Sequence, residues 1–89
     1  MAQAHITIIN KLGLHARAAT KFTKIANKYS SNIKVTFADK TIDGKSIMSL
    51  MLLAAAKGSE ILLSAEGNDA TAAIDDLTTL INNRFDEEE

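Results

Sequence analysis

The chain has 89 residues, 46% of them hydrophobic, a formal net charge of -1, and neither cysteine nor proline. This length can bury one modest core, so residues 1–89 are read as a single domain, and the lack of cysteine excludes a disulfide framework, a thiolate metal site and a thiol nucleophile. No basic segment leads into an apolar run of signal-peptide length, and the stretch from Ile47 to Ala56 is too short to cross a bilayer, which predicts a cytoplasmic protein without membrane insertion.

Ala4, Ile6 and Ile8 alternate with His5, Thr7 and Ile9, the period of a strand with one face on a core, and put a first strand at about residues 3–9. Ala18, Ala19, Phe22, Ile25, Ala26 and Tyr29 recur at helical spacing, with Arg17, Lys21, Lys24 and Lys28 on the opposite side, and predict a helix over Ala16 to Lys28. Ile33, Val35 and Phe37 alternate as a second strand, Ala38-Asp39-Lys40 turns, and Thr41 to Asp43 returns as a short third.

A second helix is expected over Ile47 to Ala56, with Ser46 as its N-cap and Gly58 as its stop. Its core stripe is read as Ile47, Leu50, Met51 and Ala54. Ile61, Leu63 and Ala65 mark a fourth strand, Gly67-Asn68-Asp69 a turn, and Ala73, Ile74, Leu77, Leu80 and Ile81 a third helix. Residues 86–89, all acidic, are expected to form a frayed and solvated tail. The order β-α-β-β-α-β-α places three helices on one face of a four-stranded, mainly antiparallel sheet, an α+β open-faced two-layer sandwich.

Charge is distributed unevenly. Residues 1–38 hold six basic side chains and no acid, and the remainder holds four basic against eleven acidic. A basic face on the first helix then suits an acidic partner, while the shortage of aromatic rings for base stacking argues against nucleic acid. Two separated histidines without cysteine offer no ligand cluster, so neither a metal nor another cofactor is expected.

The chemistry centres on Gly13-Leu14-His15-Ala16-Arg17, which joins the first strand to the first helix. The first amides of a helix lack intrahelical acceptors and carry the positive end of its dipole, so a phosphoryl group on His15 would meet the N–H groups of Ala16, Arg17 and Ala18 together with the Arg17 guanidinium. Taken alone, Leu-His-Ala-Arg reads more readily as an N-cap residue and a surface charge, because short motifs recur by chance. His5, in a strand without such a setting, is read as a surface or sheet-packing residue.

Asn10-Lys11-Leu12-Gly13-Leu14-His15-Ala16-Arg17, then Gly44-Lys45-Ser46-Ile47-Met48, then Ala55-Ala56-Lys57-Gly58, closely resemble HPr, the histidine-containing phosphocarriers of the bacterial phosphoenolpyruvate-dependent phosphotransferase system. The three motifs stand in the family's order and spacing, and the resemblance spans nearly the whole chain. It implies the open-faced sandwich, phosphorylation of His15 by enzyme I, phosphate stabilisation by Arg17, and transfer to enzyme IIA-type acceptor domains by a monomeric relay more than an independent catalyst. It also implies phosphorylation of Ser46 by HPr kinase/phosphorylase, and partner docking on Ile47, Met48 and Met51, to which the charge pattern of the first helix adds Lys21 and Lys24. Two positions depart from the family: Ala18 stands where a proline is usual, and Ser49 where many relatives have glycine. The competing readings are a nitrogen-branch regulatory carrier of the NPr type and a small nucleic-acid-binding module.

Overall fold

Strand alternation and helical stripes are realised together in the computed structural model, which describes residues 1–88. The elements are β1 (Ala2–Thr7), α1 (Ala16–Ala26), β2 (Asn32–Phe37), β3 (Lys40–Asp43), α2 (Ile47–Leu53), β4 (Glu60–Glu66) and α3 (Ala70–Asn82), followed by a 3-10 turn at Arg84–Asp86. The strands form one antiparallel sheet in the order β1-β4-β2-β3, with Ile6 opposite Ile61, Leu63 between Ala4 and Val35, and Val35 opposite Ile42.

Period-two placement decides which face is covered. Ile6, Ile33, Val35, Ile61, Leu63 and Ala65 are buried, while His5, Thr7 and Lys34 between them are exposed. Phe22, Ala18, Ala19 and Ala26 of α1, Leu50 and Leu53 of α2, and Ala73, Leu77 and Ile81 of α3 complete the core. The expected sandwich therefore holds, with one polar sheet face left open.

Two ties outside the apolar core bind α3 to its neighbours. Asp69, which precedes α3, accepts hydrogen bonds from the backbone N–H groups of Ser30 and Ser31 at 2.8 and 3.0 Å and from both serine hydroxyls. These donors, the Ser31 hydroxyl first, hold its carboxyl down at about 2. At the far end of α1, the Tyr29 hydroxyl donates to Asp76 at 2.6 Å, an acceptor bond that raises the phenol's pKa.

Two expectations are corrected. α2 ends at Leu53 instead of Ala56, because Ala54 adopts the left-handed conformation at φ 56° and its N–H turns back to Met51 O. The buried stripe is then Leu50 and Leu53, and Ile47, Met48, Met51 and Leu52 lie exposed. At the C-terminus, the expected solvated tail does not hold at Glu87, which is anchored as described below; Glu89 lies outside the described residues.

Candidate functional site

The loop between β1 and α1 is shaped by Gly13. Its φ of +65° suits glycine, and a Cβ there would fall 2.6 Å from the carbonyl oxygen of Ala55 and 2.8 Å from Ala56 Cα. That close approach lets Leu14 N–H bond Ala55 O at 3.0 Å, while Gly13 N–H bonds Asn10 O at 3.2 Å. The loop is thereby pinned to the segment that follows α2, and the next residue is delivered at a fixed angle.

That residue is His15. It occupies the N-cap of α1 with extended backbone, its carbonyl accepts the first helical bond from Ala19 N–H at 2.8 Å, and its side chain does not cap the helix. The ring is instead free of the core and half-buried, with Nε2 hydrogen-bonded to the Glu87 carboxylate. Among the described residues no hydrogen bond engages Nδ1. The amides of Ala16, Arg17 and Ala18 follow directly in the first turn, where helix geometry supplies no internal acceptor.

Arg17 is exposed and lines an open cavity of about 330 Å³ with Lys11, Leu12, Glu87 and Glu88. Glu87 thus touches both the ring of His15 and the cavity walled by the guanidinium. Burial alone would raise the Glu87 carboxyl; hydrogen bonds from Asn10 and His15, with the charge of Lys21 and that of His15 whenever its ring is protonated, outweigh it and hold the group below the ordinary glutamate value. Asn10, fully buried, donates from Nδ2 to Glu87 Oε1 at 2.9 Å and to Gly13 O at 2.8 Å.

Lys21 does not stand free beside Lys24 on a basic face. It is half-buried, and its ammonium donates to the carbonyl of Phe85 at 2.6 Å, tying α1 to the C-terminal turn; Lys24 is exposed. Ser46 N-caps α2, accepting from Ser49 N–H at 3.2 Å, and Ile47, Met48 and Met51 present exposed apolar surface next to it. His5 is a surface residue whose Nδ1 lies 3.7 Å from Glu60, with both side chains about 70% exposed.

Glu87 and Asn10 escaped the sequence reading. Asn10 sits within the first motif and is a buried amide next to a glycine turn, a signal that was open to use. Glu87 is one of three consecutive identical acids, and no local pattern separates it from its neighbours.

The model of a family described as the PTS HPr component phosphorylation site matches residues 2–83. The chain is 51% identical to the phosphocarrier protein HPr of Pseudomonas aeruginosa over the full length of both, and 39% identical to the phosphocarrier protein NPr of Shewanella violacea over 96% of this chain and 93% of that one. Among solved structures, the HPr-C-His protein of Thermoanaerobacter tengcongensis superposes with a TM-score of 0.96 at 45% identity, each chain fully covered.

Proposed function

This chain belongs to the HPr family of phosphotransferase-system phosphocarriers, and from that we propose that enzyme I phosphorylates His15, which hands the group to enzyme IIA-type acceptor domains. The observation that carries the reading is the His15 ring standing at the mouth of α1 beside the cavity lined by Arg17. In the neutral ring the proton sits on one nitrogen and the lone pair on the other is the nucleophile. That lone pair attacks phosphorus as the bond to the donor breaks and its electron pair leaves with the donor. The amides of Ala16, Arg17 and Ala18 and the planar fork of Arg17 then stabilise the phosphoryl oxygens. The protein works as a cytoplasmic monomer, a carrier between enzymes more than an independent catalyst.

The exposed Ile47, Met48 and Met51 give partners an adaptable apolar surface next to the site, and Lys24 adds charge that attracts acidic ones. Lys21 acts there through the C-terminal turn it holds, and its ammonium becomes a docking group only when that turn yields. Sugar-branch transfer is the first reading over the nitrogen branch because the HPr relative is the nearer of the two, at 51% against 39%.

Ser46 is a regulatory phosphorylation site for HPr kinase/phosphorylase. A phosphate there adds about -1.5 to -2 charge beside the surface that an acidic enzyme I must approach. Ser46→Asp is expected to slow phosphorylation of His15 while the thermal midpoint stays close to that of the parent; unchanged kinetics would remove the repulsion account.

The decisive experiment incubates the protein with enzyme I and phosphoenolpyruvate and follows intact mass. One acid-labile phosphoryl group is expected on the parent and none on His15→Ala. Equal labelling of the alanine variant would sink the assignment.

A further inference from the structure

Glu87 makes the second carboxylate-to-histidine contact among the described residues, and it differs from the first in exposure and in anchoring. The pair of His5 with Glu60 is open to water at 3.7 Å, where an ion pair contributes little. The side chains of His15 and Glu87 are only 25% and 13% exposed, and the second oxygen of Glu87 is itself fixed by the buried Asn10. Asn10 in turn is fixed to the Gly13 carbonyl, so one run of hydrogen bonds leads from the glycine turn through Asn10 and Glu87 to the catalytic ring.

The backbone that carries Glu87 is strained. Arg84, Phe85 and Asp86 are three successive non-glycine residues at φ 57°, 54° and 62°, a left-handed turn that side chains disfavour and that persists only where the surroundings over-determine it. Here Phe85 is fully buried, Lys21 donates to its carbonyl at 2.6 Å, and the N–H groups of Asp86 and Glu87 bond Asn83 O and Arg84 O. This turn has one evident product, the seating of Glu87 against His15.

We propose that Glu87 is a positioning residue for phosphoryl transfer, holding His15 with its proton on Nε2 and leaving Nδ1 as the nucleophile. The inference rests on the reading of His15 as phosphoryl acceptor and adds a residue to it. A carboxylate accepts from N–H, so contact at Nε2 selects the tautomer with the lone pair on Nδ1, as the carboxylate of a serine-hydrolase triad does for its histidine. During transfer the Nδ1 lone pair forms the N–P bond while the phosphorus–donor bond breaks towards the donor. Nε2 keeps its proton, and the ring becomes a phosphoimidazolium whose positive charge lies against the Glu87 carboxylate. Handing the group on returns the bonding pair to Nδ1 and regenerates the neutral ring. Arg17, Lys11 and Glu88 line the same cavity, and of its two acids Glu87 is the one hydrogen-bonded to the ring.

The test compares full-length parent, Glu87→Gln and Glu87→Ala, each labelled with nitrogen-15. Long-range proton–nitrogen spectra are expected to show a single Nε2–H tautomer in the parent and an averaged ring in Glu87→Ala, with Glu87→Gln between them, because its one amide oxygen must serve both the Asn10 and the His15 donor. Phosphorylation by enzyme I should lose roughly 10-fold in kcat with little change in KM for Glu87→Ala, the modest end of what misorienting a nucleophile costs. Glu87→Gln should recover part of that loss, because it restores the hydrogen bond without the charge. An unchanged tautomer together with an unchanged or faster kcat in Glu87→Ala would overturn the proposal and make the contact a lid. A parent that takes up no phosphoryl group on His15 would overturn the carrier reading beneath it, a result visible before any variant is compared.

Discussion

His15 and His5 share a residue type and a carboxylate neighbour, yet only His15 has surroundings that limit where its ring can point. It is half-buried, at the N-cap, and held through Nε2 by an acid that Asn10 holds in turn. Arg17 contributes a different property, a flat set of donors on an exposed side chain at the cavity wall. Lysine would keep the charge and lose the fork. Arg17→Lys is therefore expected to leave thermal stability nearly unchanged and to slow transfer to His15 by about 10-fold or more, as loss of one preorganised donor to a reacting oxyanion does. Rapid-quench measurement of phosphoryl uptake checks this, and parent-like rates in the lysine variant would reduce Arg17 to a point charge. At this scale the sequence was informative where a residue type is rare and its neighbours distinctive, as for His15 and Arg17. It was silent at Glu87, since contact across 72 positions of chain leaves no local trace.

Elements were legible to the extent that their apolar period was unambiguous. β1, β2, β4, α1 and α3 all follow from one-sided alternation or a helical stripe, with ends that differ by a residue or a few. α2 is the exception, because Ile47, Met48, Leu50, Met51, Leu52 and Leu53 are apolar nearly all round and period alone cannot say which of them face inward. Packing decides it: Leu50 and Leu53 are buried, and the helix stops after seven residues at a left-handed alanine. That stop leads into the segment that Gly13 lies against, and alanine's Cβ makes φ 56° unfavourable. Ala54→Gly removes the Cβ from a left-handed, exposed position and is expected to stabilise the fold by about 0.5–1 kcal/mol, discounted for the larger backbone entropy glycine loses. For a domain of this size that raises the thermal midpoint by about 2–8 °C. A lower midpoint in calorimetry would mean that the left-handed turn is not strained. Gly13→Ala should act in the opposite direction and more strongly, since its Cβ would meet backbone atoms at 2.6 and 2.8 Å that cannot rotate away.

The whole molecule is a sheet with one covered face, and its parts communicate through a few polar ties that cross between elements. The sandwich could be read from element order and one-sidedness, while these ties could not, because each pairs residues far apart in the chain. Asp69 makes the most hydrogen bonds among them, receiving four from Ser30 and Ser31 and so joining the turn before β2 to the start of α3. Its carboxyl is held at about 2 in the folded protein against 3.8 for the free group, with the Ser31 hydroxyl as the largest cause. A lowered folded value means that the ionised form favours folding, so this contribution is fully present above about pH 4 and is lost as pH falls towards 2. Glu87, also lowered, adds to the same slope with the same sign. Asp69→Asn keeps the shape without the charge and should be the less stable protein at pH 7, with the gap to the parent closing between pH 4 and 2. Denaturant midpoints taken across pH 2–7 measure that gap directly. Two curves that run parallel down to pH 2 would show that the serine donors hold no charge in place, and the tie between β2 and α3 would then be a matter of shape alone.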